Sequence, residues 1–130
     1  MYIDNEKNEP ENTNALPRTI GPLIKGRTIE TGDIGEVRSP YDGAPVAVVH
    51  RAGPDEIEQS IVAAVAAFEE TRRMPAWRRS DILEKISVAI AQRREEFART
   101  MALEAGKPLK AARVEVDRAV FTFKIAAEEA

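Results

Sequence analysis

The sequence Met-Ala-Leu-Glu-Ala-Gly-Lys-Pro at residues 101–108 lies between two helical patterns and predicts how they are joined. Gly106 stands where a helix C-terminus favours a residue that tolerates a positive φ. Lys107 places a cation near the negative end of the helix dipole. Pro108 cannot continue the helix before it but suits the first turn of the next one. The stretch therefore predicts a helix–helix corner.

Apolar residues on both sides of this corner recur at helical spacing. Before it, a stripe from Ile82 to Met101 predicts a helix that starts near residue 75 or 80 and ends near 105. Because such a helix is long for a globular protein, we expect either a break or an extended spine. After the corner, a heptad-like seam predicts a helix that packs along its full length, with apolar positions Leu109, Ala112, Val116, Val120, Phe123 and Ala127.

An earlier helix is predicted to begin after Pro54. Asp55 is a good N-cap and Glu58 follows three residues later, which is the capping-box arrangement. Apolar residues then share one face: Ile57, Ile61, Ala64, Val65 and Phe68. Trp77, after this helix, is expected to be a packing anchor where it meets the next one.

The N-terminal third of the chain predicts short strands that follow a tail. Residues 1–19 contain few apolar side chains and are expected to be disordered. Between residues 20 and 49, short apolar pieces separated by Gly and Pro predict two or three antiparallel strands, of which residues 46–49 are the clearest. Strands followed by three helices give an α+β fold over residues 20–130.

Composition excludes several classes of function. The 130 residues carry 19 Lys and Arg interleaved with 22 Asp and Glu, for a net charge of -3, so we expect no nucleic-acid partner. No apolar run approaches the roughly 20 residues of a membrane-spanning helix, and the N-terminus lacks the pattern of a secretory signal. The chain has no cysteine and therefore no thiolate ligand or nucleophile. A cytoplasmic location is expected.

Few residues are candidates for a catalytic, metal-binding or phosphate-binding role. His50 is the only histidine, so a structural role is expected rather than a metal site. No Gly-x-Gly-x-x-Gly or P-loop pattern is present. Glu104 places a carboxylate at the unfavourable end of a helix dipole, and either Lys107, which we favour, or a bound cation would compensate it. The residues by themselves therefore indicate no set of catalytic residues. They indicate a unit that forms part of a larger protein or assembly.

Four stretches in this order resemble the NAD(P)-dependent aldehyde dehydrogenases. The sequence Ser-Pro-Tyr-Asp-Gly at residues 39–43, with the strand at 46–49, is similar to the N-terminal turn and strand of that family. The other similar stretches are residues 55–68, residues 79–86 running into 103–108, and residues 112–119. The resemblance extends over residues 37–130, and it identifies the chain as an N-terminal segment of the family.

The resemblance implies an α/β fold with a Rossmann-like domain, of which this chain is one part. Family members oxidise aldehydes by attack of a cysteine thiolate, hydride transfer to NAD or NADP, and hydrolysis of the thioester. The segments that carry those steps are expected to lie outside this chain, so no catalytic or cofactor-binding residue is assigned to it. The chain alone is expected to be inactive and to bind no cofactor.

The resemblance also implies a monovalent-cation site and a partner. Some family members hold a structural monovalent cation through an acid before Gly-Lys-Pro and through backbone carbonyls, which correspond here to Glu104 and to the carbonyls of Val37 and Arg38. The expected partner is the remainder of the aldehyde dehydrogenase chain or a complementary subunit, and family members are homo-oligomers. The alternative is a non-catalytic helical interaction module derived from the family.

Overall fold

The computed structural model of the chain describes residues 18–130, which form short strands followed by four helices. The α+β fold class is therefore confirmed. The predicted tail lies outside the described residues, apart from Arg18 and Thr19 in the first strand. The elements are β1 (Arg18–Ile20), β2 (Leu23–Ile24), β3 (Arg27–Thr28), β4 (Ile34–Arg38), β5 (Pro45–His50), α1 (Pro54–Thr71), α2 (Ala76–Gln92), α3 (Arg94–Ala105) and α4 (Leu109–Glu128).

The strands form one three-stranded sheet and a separate hairpin. The sheet has the order β1-β5-β4, and β2 pairs with β3 in the hairpin. Antiparallel pairing is confirmed for β4 with β5 and for β2 with β3, but it is wrong for β1, which runs parallel to β5. The parallel pair is possible because the hairpin and β4 intervene in the sequence and return the chain to the start of β5.

The N-cap of helix α1 lies two residues earlier than the sequence suggests. The N-cap is Gly53, and the carboxylate of Glu56 accepts a hydrogen bond from the Gly53 N–H at 2.8 Å. The prediction that Asp55 and Glu58 form the cap is wrong. Pro54 explains the difference, because its restricted φ suits the first helical position and makes Glu56 the third.

The long helical pattern before the corner is broken at Arg93, which separates α2 from α3. Arg93 has φ -103° and ψ 21°, outside helical values. The surrounding residues 93–96 are all charged and offer no apolar side chain to continue the buried stripe. Of the two alternatives left by the sequence, the break is therefore correct, and residues 18–130 contain four helices where three are predicted.

The core lies where α4 packs against α2 and α3. Ala98, Ala112 and Val116 are buried together, and their small side chains let α3 and α4 approach closely. Ser87 of α2 is also buried, and its hydroxyl donates to the Val120 carbonyl of α4 at 2.9 Å. The seam predicted for α4 is confirmed, since Ala127 is buried as well. The packing role predicted for Trp77 is wrong, because 71% of it is exposed.

The corner after α3 has the predicted geometry. Gly106 is left-handed, with φ 63°, and its N–H donates to the Ala102 carbonyl at 3.0 Å. Pro108 takes the N-cap position of α4, one residue before the first turn in which it was expected. A Cβ on Gly106 would lie 2.9 Å from Cγ of Pro40, so the corner rests against the turn after β4.

Among residues 18–130, the structure contains no helix that is both long enough and apolar enough to cross a membrane.

Candidate functional site

The three residues predicted to hold a cation lie on neighbouring elements. Glu104 is exposed in the last turn of α3, and Val37 and Arg38 end β4, which contacts α3. Glu104 lines a cavity of about 170 Å³ between the sheet and α3. Arg18 lines the same cavity, so a cation there would have a guanidinium as a neighbour.

An irregularity in the sheet coincides with the two predicted carbonyl ligands. Val37 is paired with Ala47 and Arg38 with Pro45, so Val46 has no partner opposite it on β4. Pro45 has no N–H and cannot donate to the Arg38 carbonyl. The end of β4 thus departs from regular ladder bonding beside α3, where backbone carbonyls would be needed for a cation.

Lys107 does not compensate Glu104. Its amine pairs with the carboxylate of Glu115 at 2.6 Å and lowers the pKa of that carboxyl. The expectation that Lys107 neutralises the end of α3 is therefore wrong. The cause is the left-handed Gly106, which turns the following residue away from α3 and towards α4.

His50 has a structural role, as predicted. Its Nδ1 lies 2.7 Å from the Thr31 carbonyl oxygen and 3.0 Å from the Thr31 nitrogen. The Thr31 hydroxyl donates to the Arg51 carbonyl at 2.7 Å, which joins the same two segments. His50 thereby helps to hold the loop before β4 against the end of β5.

The one strand-to-helix connection in residues 18–130 does not fit a dinucleotide. It joins β5 to α1, and a pyrophosphate there would need free N–H groups at the helix N-terminus. The Gly53 N–H already bonds to the Glu56 carboxylate, and Asp55 adds a second negative charge to the first turn. These residues would repel a pyrophosphate, so no cofactor-binding role is assigned to them.

Ion pairs between α3 and α4 were not found from the sequence. Arg94 makes two bonds to the Asp117 carboxylate, at 2.6 and 2.7 Å, and Arg113 bonds to Glu95 at 2.8 Å. These bonds lower the pKa of Asp117 and of Glu95. Opposite charges at Arg113 and Asp117, four residues apart on α4, were the available signal. The pairs fix the register of two helices and form no catalytic arrangement.

Within the described part of the chain, no three or more His, Cys, Asp or Glu side chains are grouped so as to hold a metal ion. Any cation at Glu104 would therefore depend mainly on backbone oxygens.

Comparison with known proteins identifies the family. A model described as the aldehyde dehydrogenase family matches residues 28–130. The chain belongs to the aldehyde dehydrogenase family. It is 36% identical over 105 residues to a lactaldehyde dehydrogenase of Methanocaldococcus jannaschii, covering 81% of this chain and 22% of that protein. It is 33% identical over 113 residues to a 3-sulfolactaldehyde dehydrogenase of Priestia megaterium, covering 87% of this chain and 23% of that protein.

Solved structures of aldehyde dehydrogenases share the fold. The chain superimposes with a TM-score of 0.83 on an aldehyde dehydrogenase of Physcomitrella patens in complex with the reaction product succinate, at 34% identity, covering 88% of this chain and 24% of that one. An NAD-dependent aldehyde dehydrogenase of Sinorhizobium meliloti gives a TM-score of 0.81 at 27% identity, covering 88% and 24%. The family resemblance is confirmed, and the chain spans less than a quarter of the length of these relatives.

Proposed function

We propose that this chain is the N-terminal portion of an oxidoreductase that oxidises an aldehyde to a carboxylate with NAD(P)+, and that it has no such activity alone. The observation that carries the proposal is a family match over residues 28–130 in a chain that contains no cysteine. The thiolate attack of this family cannot occur without one.

In the proposed enzyme this chain has a structural role. The packed helices α2, α3 and α4 and the three-stranded sheet would support the segments that bind NAD(P)+ and carry the nucleophile. The partner is the remainder of an aldehyde dehydrogenase domain, on a continuous chain or on a complementary subunit. The complete enzyme would be a homo-oligomer in the cytoplasm.

Reconstitution tests the proposal. The chain is co-expressed with the part of the Methanocaldococcus jannaschii lactaldehyde dehydrogenase that lies outside the 105 aligned residues. Lactaldehyde and 3-sulfolactaldehyde, which appear in the names of the relatives, are the first substrates to try. NAD(P)H formation by the pair, and by neither part alone, is the expected result. Activity of this chain alone, or an inactive but well-folded complex, would contradict the proposal.

A non-catalytic interaction module is the second candidate. The observation that favours it is the buried core that α3 and α4 form with each other, at Ala98, Ala112 and Val116. This candidate predicts a stable folded monomer that captures a partner without any gain of dehydrogenase activity.

The cation site at Glu104, Val37 and Arg38 remains part of the proposal. The irregular end of β4 beside α3 supports it, because the register shifts between Val37 and Arg38, and Pro45, opposite Arg38, has no N–H to donate. Binding would be structural and would tie the last turn of α3 to the sheet.

A further inference from the structure

Helix α1 turns its polar side, and not its apolar side, towards the rest of residues 18–130. Its main contact within residues 18–130 is with β2. The half-buried residues of α1 are Glu56 and Ala63, and Gln59 lines a pocket with residues of the β2–β3 hairpin. These three positions are spaced by three and four residues and therefore lie on one side of the helix. That side is polar or small.

The apolar stripe of α1 points to solvent instead. Ile57 and Ile61 are each 53% exposed, Val65 is 66% exposed and Phe68 is 58% exposed. No residue of this 18-residue helix is buried. Because most helical stability in proteins comes from packing an amphipathic face, a helix whose apolar face is uncovered lacks its main source of stability. We call these four residues the α1 stripe.

We propose that the α1 stripe is a docking surface for the polypeptide that carries the rest of the aldehyde dehydrogenase domain. This inference rests on the proposed function, and it names the surface through which that function is assembled. The relatives are more than four times as long as the segment they share with this chain, so a large part of the domain is available to cover the stripe.

The charges around the stripe define the chemistry of the partner. Helix α1 carries five acids and no Lys or Arg: Asp55, Glu56, Glu58, Glu69 and Glu70. Glu69 is already paired with Arg72 at 2.8 Å. The partner surface is therefore an apolar groove with basic side chains at the end that meets Asp55 and Glu58.

Two matched variants test the inference with the full chain. Val65→Asp places a charge in the stripe, and Ala66→Asp places the same charge one residue later, rotated by about 100° around the helix. The probe is the part of the Methanocaldococcus jannaschii lactaldehyde dehydrogenase outside the aligned residues, and complex formation is measured by co-purification and titration. Circular dichroism of each variant alone checks that it remains folded.

Val65→Asp is expected to weaken the complex by roughly tenfold or more, since an unpaired charge would be buried, and Ala66→Asp by less than about twofold. Equal effects of the two variants, or no complex with the probe, would overturn the inference. Self-association of the chain that Val65→Asp abolishes would make a second copy the occupant and would also overturn it. If the wild-type complex forms but oxidises no aldehyde, and Val65→Asp prevents its formation, then docking at the stripe stands and the proposed function fails. If activity is reconstituted and both variants retain it, the function stands and docking at α1 fails.

Discussion

Substitution of Gly106 by alanine should destabilise the corner through two separable effects. Gly106 has a φ of 63°, and a residue with a Cβ in this conformation costs about 1–2 kcal/mol. The new Cβ would also lie 2.9 Å from Cγ of Pro40, an overpacking that costs about 1–3 kcal/mol. Together they predict that Gly106→Ala lowers the free energy of unfolding by about 2–5 kcal/mol.

Gly43→Ala is the matched control. Gly43 has a φ of +72° and no atom within 4 Å of an added Cβ, so only the backbone effect applies, about 1–2 kcal/mol. The assay is urea denaturation followed by far-ultraviolet circular dichroism. In a Pro40→Ala background, Gly106→Ala should lose the steric part of its effect, which gives a coupling of about 1 kcal/mol or more.

The reasoning would be refuted if Gly106→Ala and Gly43→Ala were equally destabilising and Pro40→Ala changed neither. That result would mean that the end of α3 does not rest against the turn after β4. The packing of the α3 C-terminus near the end of β4, on which the cation site depends, would then lose its support.

Three further perturbations test other parts of the structure. Ser87→Ala removes the hydroxyl that joins α2 to α4 and should lower the free energy of unfolding by about 0.5–1.5 kcal/mol, measured by the same denaturation; an unchanged midpoint would show that this bond contributes nothing. Arg94→Ala should lower the melting temperature at neutral pH. Arg94 holds the pKa of Asp117 below its ordinary value of 3.8, so the stabilisation is complete above that value and is lost as the pH falls through the lowered pKa. The difference in melting temperature between wild type and variant should therefore vanish in acid. A difference that persists in acid would exclude the ion pair as its cause. K+ or Na+ should raise the melting temperature of the wild type and not of Glu104→Gln, and an unchanged wild-type melting temperature would count against the cation site.

Local features of the fold could be predicted because their causes are local. The left-handed Gly106 follows from the need for a helix C-cap, and the seam of α4 follows from apolar spacing. The strand at Pro45–His50 follows from a β-branched run. The family resemblance arose from the same segments, in their order along the chain.

Features that depend on direction in space could not be predicted. The pairing of Lys107 with Glu115 depends on the direction of the chain after Gly106. The positions of charged residues along the sequence do not give that direction. The parallel pairing of β1 depends on contacts between residues far apart in sequence. The sequence does not decide whether the helix breaks at Arg93, because a charged block can equally face solvent on a continuous helix.

Helix α1 shows the same limit in the candidate interface. Its apolar stripe was predicted correctly from spacing, and an apolar stripe ordinarily faces the core. Only the structure shows that Glu56 and Ala63 are half-buried, on the side of Gln59 and the hairpin, while Val65 is exposed. The periodicity of a helix identifies an apolar face but does not identify the polypeptide that covers it.

Hydrogen exchange of the α1 amides, with and without the complementary part of the Methanocaldococcus jannaschii enzyme, tests the central claim most directly. In the chain alone, we predict that amides of Pro54–Thr71 exchange much faster than those around Val116, which lies in the buried core. Addition of the complement should slow exchange along α1 and leave the amides around Val116 nearly unchanged. Amides of α1 that are fully protected in the chain alone, or that the complement does not protect, would contradict the claim that this helix is completed by the rest of an aldehyde dehydrogenase domain.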